Sequence, residues 1–198
     1  MKKVCVFFAN GFEEVEALTP VDYMRRAGLD VTTVSCNTDK AVTGSHGVTI
    51  LADTTAQEIG EGAFDMDAVV IPGGMPGAKN VANCPLAIDT ITKINEKKGL
   101  VAAICAAPVV VLGKTGVLKG KKYTCYPGME DSFAQWADAD WNTLTENTRY
   151  TGERSVVDGN LITGAGPGAA VNFAVAIVDY LCGKAAAEQL VSSSLLKL

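Results

Sequence analysis

A chain of 198 residues, 48% hydrophobic and 20% charged, is long enough to bury one sizeable core, which excludes a disordered or fibrous chain. The formal net charge of -5, with lysines and arginines scattered along the chain, excludes the basic face that nucleic acid would need. The longest apolar run, residues 100–112, is interrupted by Pro108 and falls short of the roughly 20 residues that cross a bilayer, so no membrane partner is expected.

The start, Met1-Lys2-Lys3 followed by the apolar run 4–9, is too short for the apolar segment of a secretory leader. It reads as a first strand, in one domain spanning 1–198 of a cytoplasmic protein. Residues 13–27 carry apolar positions at helical intervals, with Gly28 as a stop, and 29–36 form a second strand. Pro20 is expected to break or kink that helix near Thr19. Residues 41–51 suggest a hairpin around Gly44-Ser45-His46-Gly47. A buried strand at 67–71 runs into Pro72-Gly73-Gly74.

A helix over 85–97 leads to a strand over 100–104, and 122–126 makes a further strand. Residues 155–157 and 161–163 flank Asp158-Gly159-Asn160 as a hairpin. A buried helix over 169–181 and a short one over 185–191 end the pattern. This alternation predicts an α/β fold, a mostly parallel central sheet with helices on both faces. Six cysteines without a C-x-x-C pair read as reduced thiols, and one histidine gives no recognisable metal-ligand spacing, so no metal is expected.

In such sheets ligands bind where strands end and helices begin. Cys105 lies at one such point, where the strand over 100–104 must turn sharply into a helix. Ala103 and Ala107 satisfy the need for small neighbours, and Pro108 suits a first helical turn. The stretch fits a nucleophile elbow with sulfur in place of oxygen; the alternative is a small core residue. An elbow cysteine at a helix N-terminus should have a lowered thiol pKa. A fall from about 8.5 to about 5.5 would raise the neutral-pH thiolate only about 30-fold, so other groups must contribute.

Backbone amides at Gly73, Gly74 and Ala106 are candidates for an oxyanion hole. Glu13, Glu14 and Glu16 open the first helix, where acids favour the dipole. Glu16 can point into the cleft, be kept protonated by burial, and shuttle a proton for the thiolate.

The segments "GFEEVEALTPVDYMRRAG", "VVIPGGMPGAKN", "GLVAAICAAPVVVLG" and "TGAGPGAAVNFAVAIVDYLCG" closely resemble the ThiJ/PfpI superfamily, in its Parkinson-associated branch of small deglycase and redox-stress proteins. The resemblance covers nearly the whole chain. It implies a flavodoxin-like three-layer sandwich, a homodimer, a reactive Cys105, a protonated Glu16, backbone donors at Gly74 and Ala106, and no cofactor. It further implies a small carbonyl substrate such as methylglyoxal, converted to a hydroxy acid without glutathione, or oxidation of Cys105 to a sulfinate.

The chain departs from that pattern in three places. Tyr126 stands where many relatives carry a histidine, His46 where close relatives often have an arginine, and Ala165 where a polar or basic residue is usual. His46 and Tyr126 are therefore secondary site candidates, and a Cys-His-acid triad of the PfpI peptidase kind lacks its base in the usual place. Two readings stand ahead of that peptidase: an enzyme acting on 2-oxoaldehydes, and a redox sensor or chaperone without turnover.

Overall fold

A computed structural model describes residues 1–136 and 140–197. Its first half comprises β1 (Lys3–Phe8), α1 (Glu14–Arg26), β2 (Asp30–Ser35), β3 (Ala41–Thr43), β4 (Thr49–Leu51), β5 (Thr54–Thr55), α2 (Ala56–Ile59), β6 (Ala68–Ile71), α3 (Gly77–Ala82) and α4 (Pro85–Glu96). Its second half comprises β7 (Leu100–Ile104), α5 (Ala107–Val110), β8 (Lys122–Tyr123), α6 (Phe133–Trp136), α7 (Trp141–Leu144), β9 (Arg149–Tyr150), β10 (Ser155–Asp158), β11 (Leu161–Gly164), α8 (Ala170–Cys182) and α9 (Lys184–Ser193).

Seven strands form the central sheet in the order β10-β11-β7-β6-β1-β2-β5, parallel throughout except for the β10–β11 hairpin. The runs AVVI in β6 and LVAAI in β7 are buried at every position, which is what a parallel strand covered on both faces requires. On the flanks of the sheet, α4 packs against β6 and β7, while α8 packs against α1 and β11. The chain leaves β1 toward β2 on one side and returns through β6 on the other. Between β1 and β6 lies the switch point at which such sheets open a crevice.

The predicted hairpin over 41–51 is the antiparallel β3–β4 pair, and the one at 155–163 is β10–β11. Helix α1 ends as expected at Gly28: the amide of Leu29 reaches Met24 and that of Gly28 reaches Arg25, a Schellman closure.

Two expectations are corrected. Pro20 does not break α1, which runs unbroken from Glu14 to Arg26. Proline removes only the bond to the carbonyl four residues back, that of Glu16, and packing of α1 against α8 and β2 outweighs the loss. The strand expected over 122–126 stops at Tyr123, because the amide of Thr124 turns to Thr163 Oγ1 (2.9 Å) and that of Tyr126 to the Cys105 carbonyl (2.8 Å).

Candidate active site

β7 ends at Ile104 and α5 begins at Ala107, leaving two residues for the reversal. Cys105 makes it with a left-handed backbone, φ 63°, which costs an L-residue other than glycine roughly 1–2 kcal/mol. Neighbouring loops hold the strain: the Cys105 amide donates to the Gly164 carbonyl at 2.9 Å, and its carbonyl accepts from Tyr126. The side chain is 8% exposed.

The first turn of α1, which follows β1, supplies the acid. Glu13 is the N-cap of α1 and its Oε2 accepts the Glu16 amide at 2.7 Å, while the Glu13 amide donates to the Gly73 carbonyl at 3.0 Å. This fixes the first turn of α1 against the loop after β6 and directs Glu16 inward. The Glu16 side chain is fully buried; Oε2 accepts the Gly73 amide at 3.0 Å and Oε1 has no hydrogen-bond partner. A Cβ on Gly73 would lie 2.6 Å from both the Cys105 Cβ and Glu16 Oε2, so only glycine admits the thiol and the acid together.

The three predicted donors divide. Gly73 is not free for a substrate oxygen, because its amide is committed to Glu16. The amides of Gly74 and Ala106 face the Cys105 sulfur. Gly74 reaches that position with φ 87°, and a Cβ there would sit 2.4 Å from the Glu13 nitrogen.

Burial pushes Glu16 up to about 7, and the charge of Glu13 adds to the rise, against hydrogen bonds from Cys105 and Gly73. Burial likewise pushes Cys105 up to about 12, reinforced by the negative charge and hydrogen bond of Glu16 and opposed by the Gly74 and Ala106 amides. The expectation of a lowered thiol pKa is therefore corrected. α5 has only four residues, too few for a strong dipole, and the sulfur is nearly enclosed beside an acid. A thiol beside a carboxylate and a thiolate beside a carboxylic acid differ here only in the position of one proton. In the second form the repulsion from Glu16 disappears and the two amides remain.

Cys105 opens onto a cavity of about 490 Å³ whose walls include Gly74, Met75, Ala106, Tyr126 and Trp136. Tyr126 is half-exposed there, joined to the elbow through its backbone. A larger groove of about 720 Å³, between α8 and α9, contains none of the site residues.

His46 is placed elsewhere. Its Nδ1 lies 2.9 Å from Glu14 Oε2, and its amide donates to Glu14 Oε1 at 2.8 Å. The hydrogen bond and charge of Glu14 raise the His46 pKa. Burial resists ionisation of Glu14, but the His46 ring and the amides of His46 and Val48 carry it down to about 2. No residue pattern signals this pairing across 32 positions. Glu13, Glu14 and His46 bring ligand-type atoms within 4.8 Å of one another and are, among the described residues, the group able to hold a metal ion.

A protein-family model described as the DJ-1/PfpI family matches residues 2–180. Protein DJ-1 homolog A of Arabidopsis thaliana is 35% identical over 196 residues, a match covering 99% of this chain and 47% of that protein. The chain thus spans about half the length of that relative. Protein dj-1beta of Drosophila melanogaster is 40% identical over 184 residues, covering 92% of this chain and 91% of that protein. The crystal structure of Drosophila melanogaster DJ-1beta matches with a TM-score of 0.86 at 37% identity, covering 100% of this chain and 99% of that one. A Caenorhabditis elegans protein named glutathione-independent glyoxalase DJR-1.2 is 31% identical over 172 residues, covering 86% of this chain and 83% of that protein.

Proposed function

The chain belongs to the DJ-1/PfpI family, and from that membership we propose that it is a cysteine-dependent enzyme of the glutathione-independent glyoxalase or deglycase type, acting on small 2-oxoaldehydes. The observation that carries this reading is the buried Glu16 carboxyl, one oxygen unpartnered, beside an elbow cysteine that opens onto a cavity. The name of the Caenorhabditis elegans relative supports it.

Glu16 takes up the thiol proton as the Cys105 sulfur adds to the aldehyde carbon of methylglyoxal. The resulting hemithioacetal oxygen lies toward the Gly74 and Ala106 amides. Glu16 returns that first proton to the hemithioacetal oxygen, and its freed carboxylate then carries the C1 proton to C2 while the hydroxyl proton passes to the C2 oxygen, leaving a thioester of lactate on Cys105. Water hydrolyses the thioester, releasing lactate and restoring the thiol. The sum is methylglyoxal plus water to lactate, with no external oxidant.

Methylglyoxal consumption by wild type, Cys105→Ala and Glu16→Gln tests the reading. A loss of at least about 100-fold is expected in both variants, and equal rates in all three overturn it. A second reading, a redox sensor or chaperone, is favoured by the same two amides, which can hold the oxygens of an oxidised sulfur. Peptide mapping after mild peroxide treatment, with oxidation concentrated on Cys105 and no turnover, would select it.

A further inference from the structure

The cavity in front of Cys105 is far larger than methylglyoxal needs. Its volume of about 490 Å³ falls in the range of about 300–1,000 Å³ that takes drug-sized ligands, whereas methylglyoxal is an aldehyde joined to a methyl ketone. Nor does its wall suit a small polar molecule. Met75, Tyr126, Pro127, Met129 and Trp136 line it, and among the described residues no charged side chain does. Met75 and Tyr126 leave apolar surface open to solvent there, while Met129 and Trp136 are half-buried against the core.

That wall is braced from behind. Between Tyr126 and Trp136 the chain makes linked turns: the Met129 amide donates to the Tyr126 carbonyl at 3.0 Å, Ser132 to Met129 at 2.9 Å, and Gln135 to Ser132 at 3.0 Å. Phe133 anchors α6, its ring stacked on Trp141 with centres 6.1 Å apart and tilted against Tyr123 at 6.0 Å. The Glu130 carboxylate accepts the Gly128 amide at 2.7 Å, which keeps that charge within its own loop. The Ser132 hydroxyl likewise donates to the Met129 carbonyl at 2.7 Å.

We propose that the substrate class of this site is an uncharged aryl 2-oxoaldehyde, of which phenylglyoxal is the simplest, an inference that rests on the glyoxalase-type reading. The aldehyde carbon meets Cys105, and the ring lies against Met75, Met129 and Trp136. Thioethers adapt to the shape of an aromatic ring and favour its edge, and an indole offers it a stacking face. A carboxylate or phosphate on the ligand would instead lose water to a wall without a cation to pair it. The bond changes are those of the smaller aldehyde. The S–C1 bond forms, the C1 proton leaves for C2 so that C1 is oxidised as C2 is reduced, and water breaks the thioester. Phenylglyoxal plus water gives mandelate, with no external oxidant or reductant.

Two measurements on the whole chain test this. In turnover, kcat/KM for phenylglyoxal should exceed that for methylglyoxal by at least about 10-fold, and 4-carboxyphenylglyoxal should lose that advantage. The second measurement is alkylation of Cys105, which needs no turnover and is read on the tryptic peptide 99–114, where Cys105 is the one cysteine. Its rate with phenacyl bromide relative to bromoacetone should exceed the same ratio for glutathione by at least about 10-fold, which removes the intrinsic reactivity of the two reagents. Trp136→Ala should lower both preferences by at least about 5-fold. An alkylation ratio equal to that of glutathione overturns the proposal. So does methylglyoxal turnover as efficient as that of phenylglyoxal, or equal acceptance of the carboxylated ring; none of these needs a variant. A raised alkylation ratio without turnover of either aldehyde would defeat the glyoxalase-type reading and uphold the selectivity of the cavity for aryl carbonyls.

Discussion

Gly73 donates its amide to Glu16 Oε2 at 3.0 Å, so one glycine amide of the pair after β6 orients the acid while the other, at Gly74, faces the sulfur. The acid is therefore held by the loop that also approaches Cys105, and the distance between proton carrier and nucleophile is set by a residue without a side chain. Gly73→Ala would place a methyl group 2.6 Å from the Cys105 Cβ and Glu16 Oε2 and 2.9 Å from the Ile104 carbonyl. We expect a loss of about 1–3 kcal/mol in stability, read by urea unfolding. An unchanged midpoint and slope would show that the loop yields freely.

Glu16 makes stability pH-dependent. Its carboxyl is at about 7 in the folded chain against an ordinary value of 4.5. The folded state thus holds the proton more tightly than the unfolded one. The contribution is fully present below about pH 4.5 and is lost as the pH rises through about 7, a total of about 3 kcal/mol. Unfolding at several pH values between 5 and 8 should show this decline in wild type and its absence in Glu16→Gln. Parallel curves for the two proteins would contradict it.

The same acid governs the thiol. Burial is the largest influence raising Cys105, and Glu16 is next. Glu16→Gln removes the negative charge but not the burial, so the pH at which Cys105 becomes reactive should fall while staying above that of an exposed thiol. Below the thiol pKa, its alkylation rate should rise by about 10-fold for each unit regained. A rate profile unaffected by the substitution would mean that Glu16 does not set the charge on sulfur.

His46 should be dispensable for the carbonyl chemistry. Its ring is 72% exposed and pairs with Glu14, not with Cys105. His46→Ala should keep methylglyoxal consumption within about twofold of wild type. The depressed pKa of Glu14 gives stability present above about 4.5 and lost as pH falls through about 2. Losing the ring lifts that pKa, so acid unfolding should begin at a higher pH in the variant. A large loss of turnover with normal unfolding would instead give His46 a role at the site.

Much of the sheet was legible because β1, β6 and β7 are short apolar runs bounded by turn residues, and burial on both faces leaves little polar interruption to confuse their reading, while β2 is marked by its β-branched residues. Pro20 misled because a helix with a buried face draws on tertiary contacts that no local rule includes. The two-residue strand β9 and the one-turn helices α6 and α7 are too short for any period to register. At the site, alanines around Cys105 announced the elbow, since a tight turn leaves a steric trace in the sequence. The commitment of the Gly73 amide left none, because every residue but proline carries that group. The direction of the thiol shift was misjudged for a related reason: A-P-V-V-V-L-G does not reveal that α5 ends after four residues.

Glu16 in the first turn of α1, Gly73 and Cys105 follow three adjacent strands, β1, β6 and β7, paired in fixed register through Val4–Ala68 and Ala68–Leu100. Strand neighbours sit about 4.8 Å apart whatever their side chains. Acid, donor and sulfur thus inherit their spacing from main-chain ladders, as fixtures bolted to one plate. Altering a cavity wall such as Tyr126 or Trp136 can then change which molecule is admitted while the reacting atoms stay where the ladder puts them.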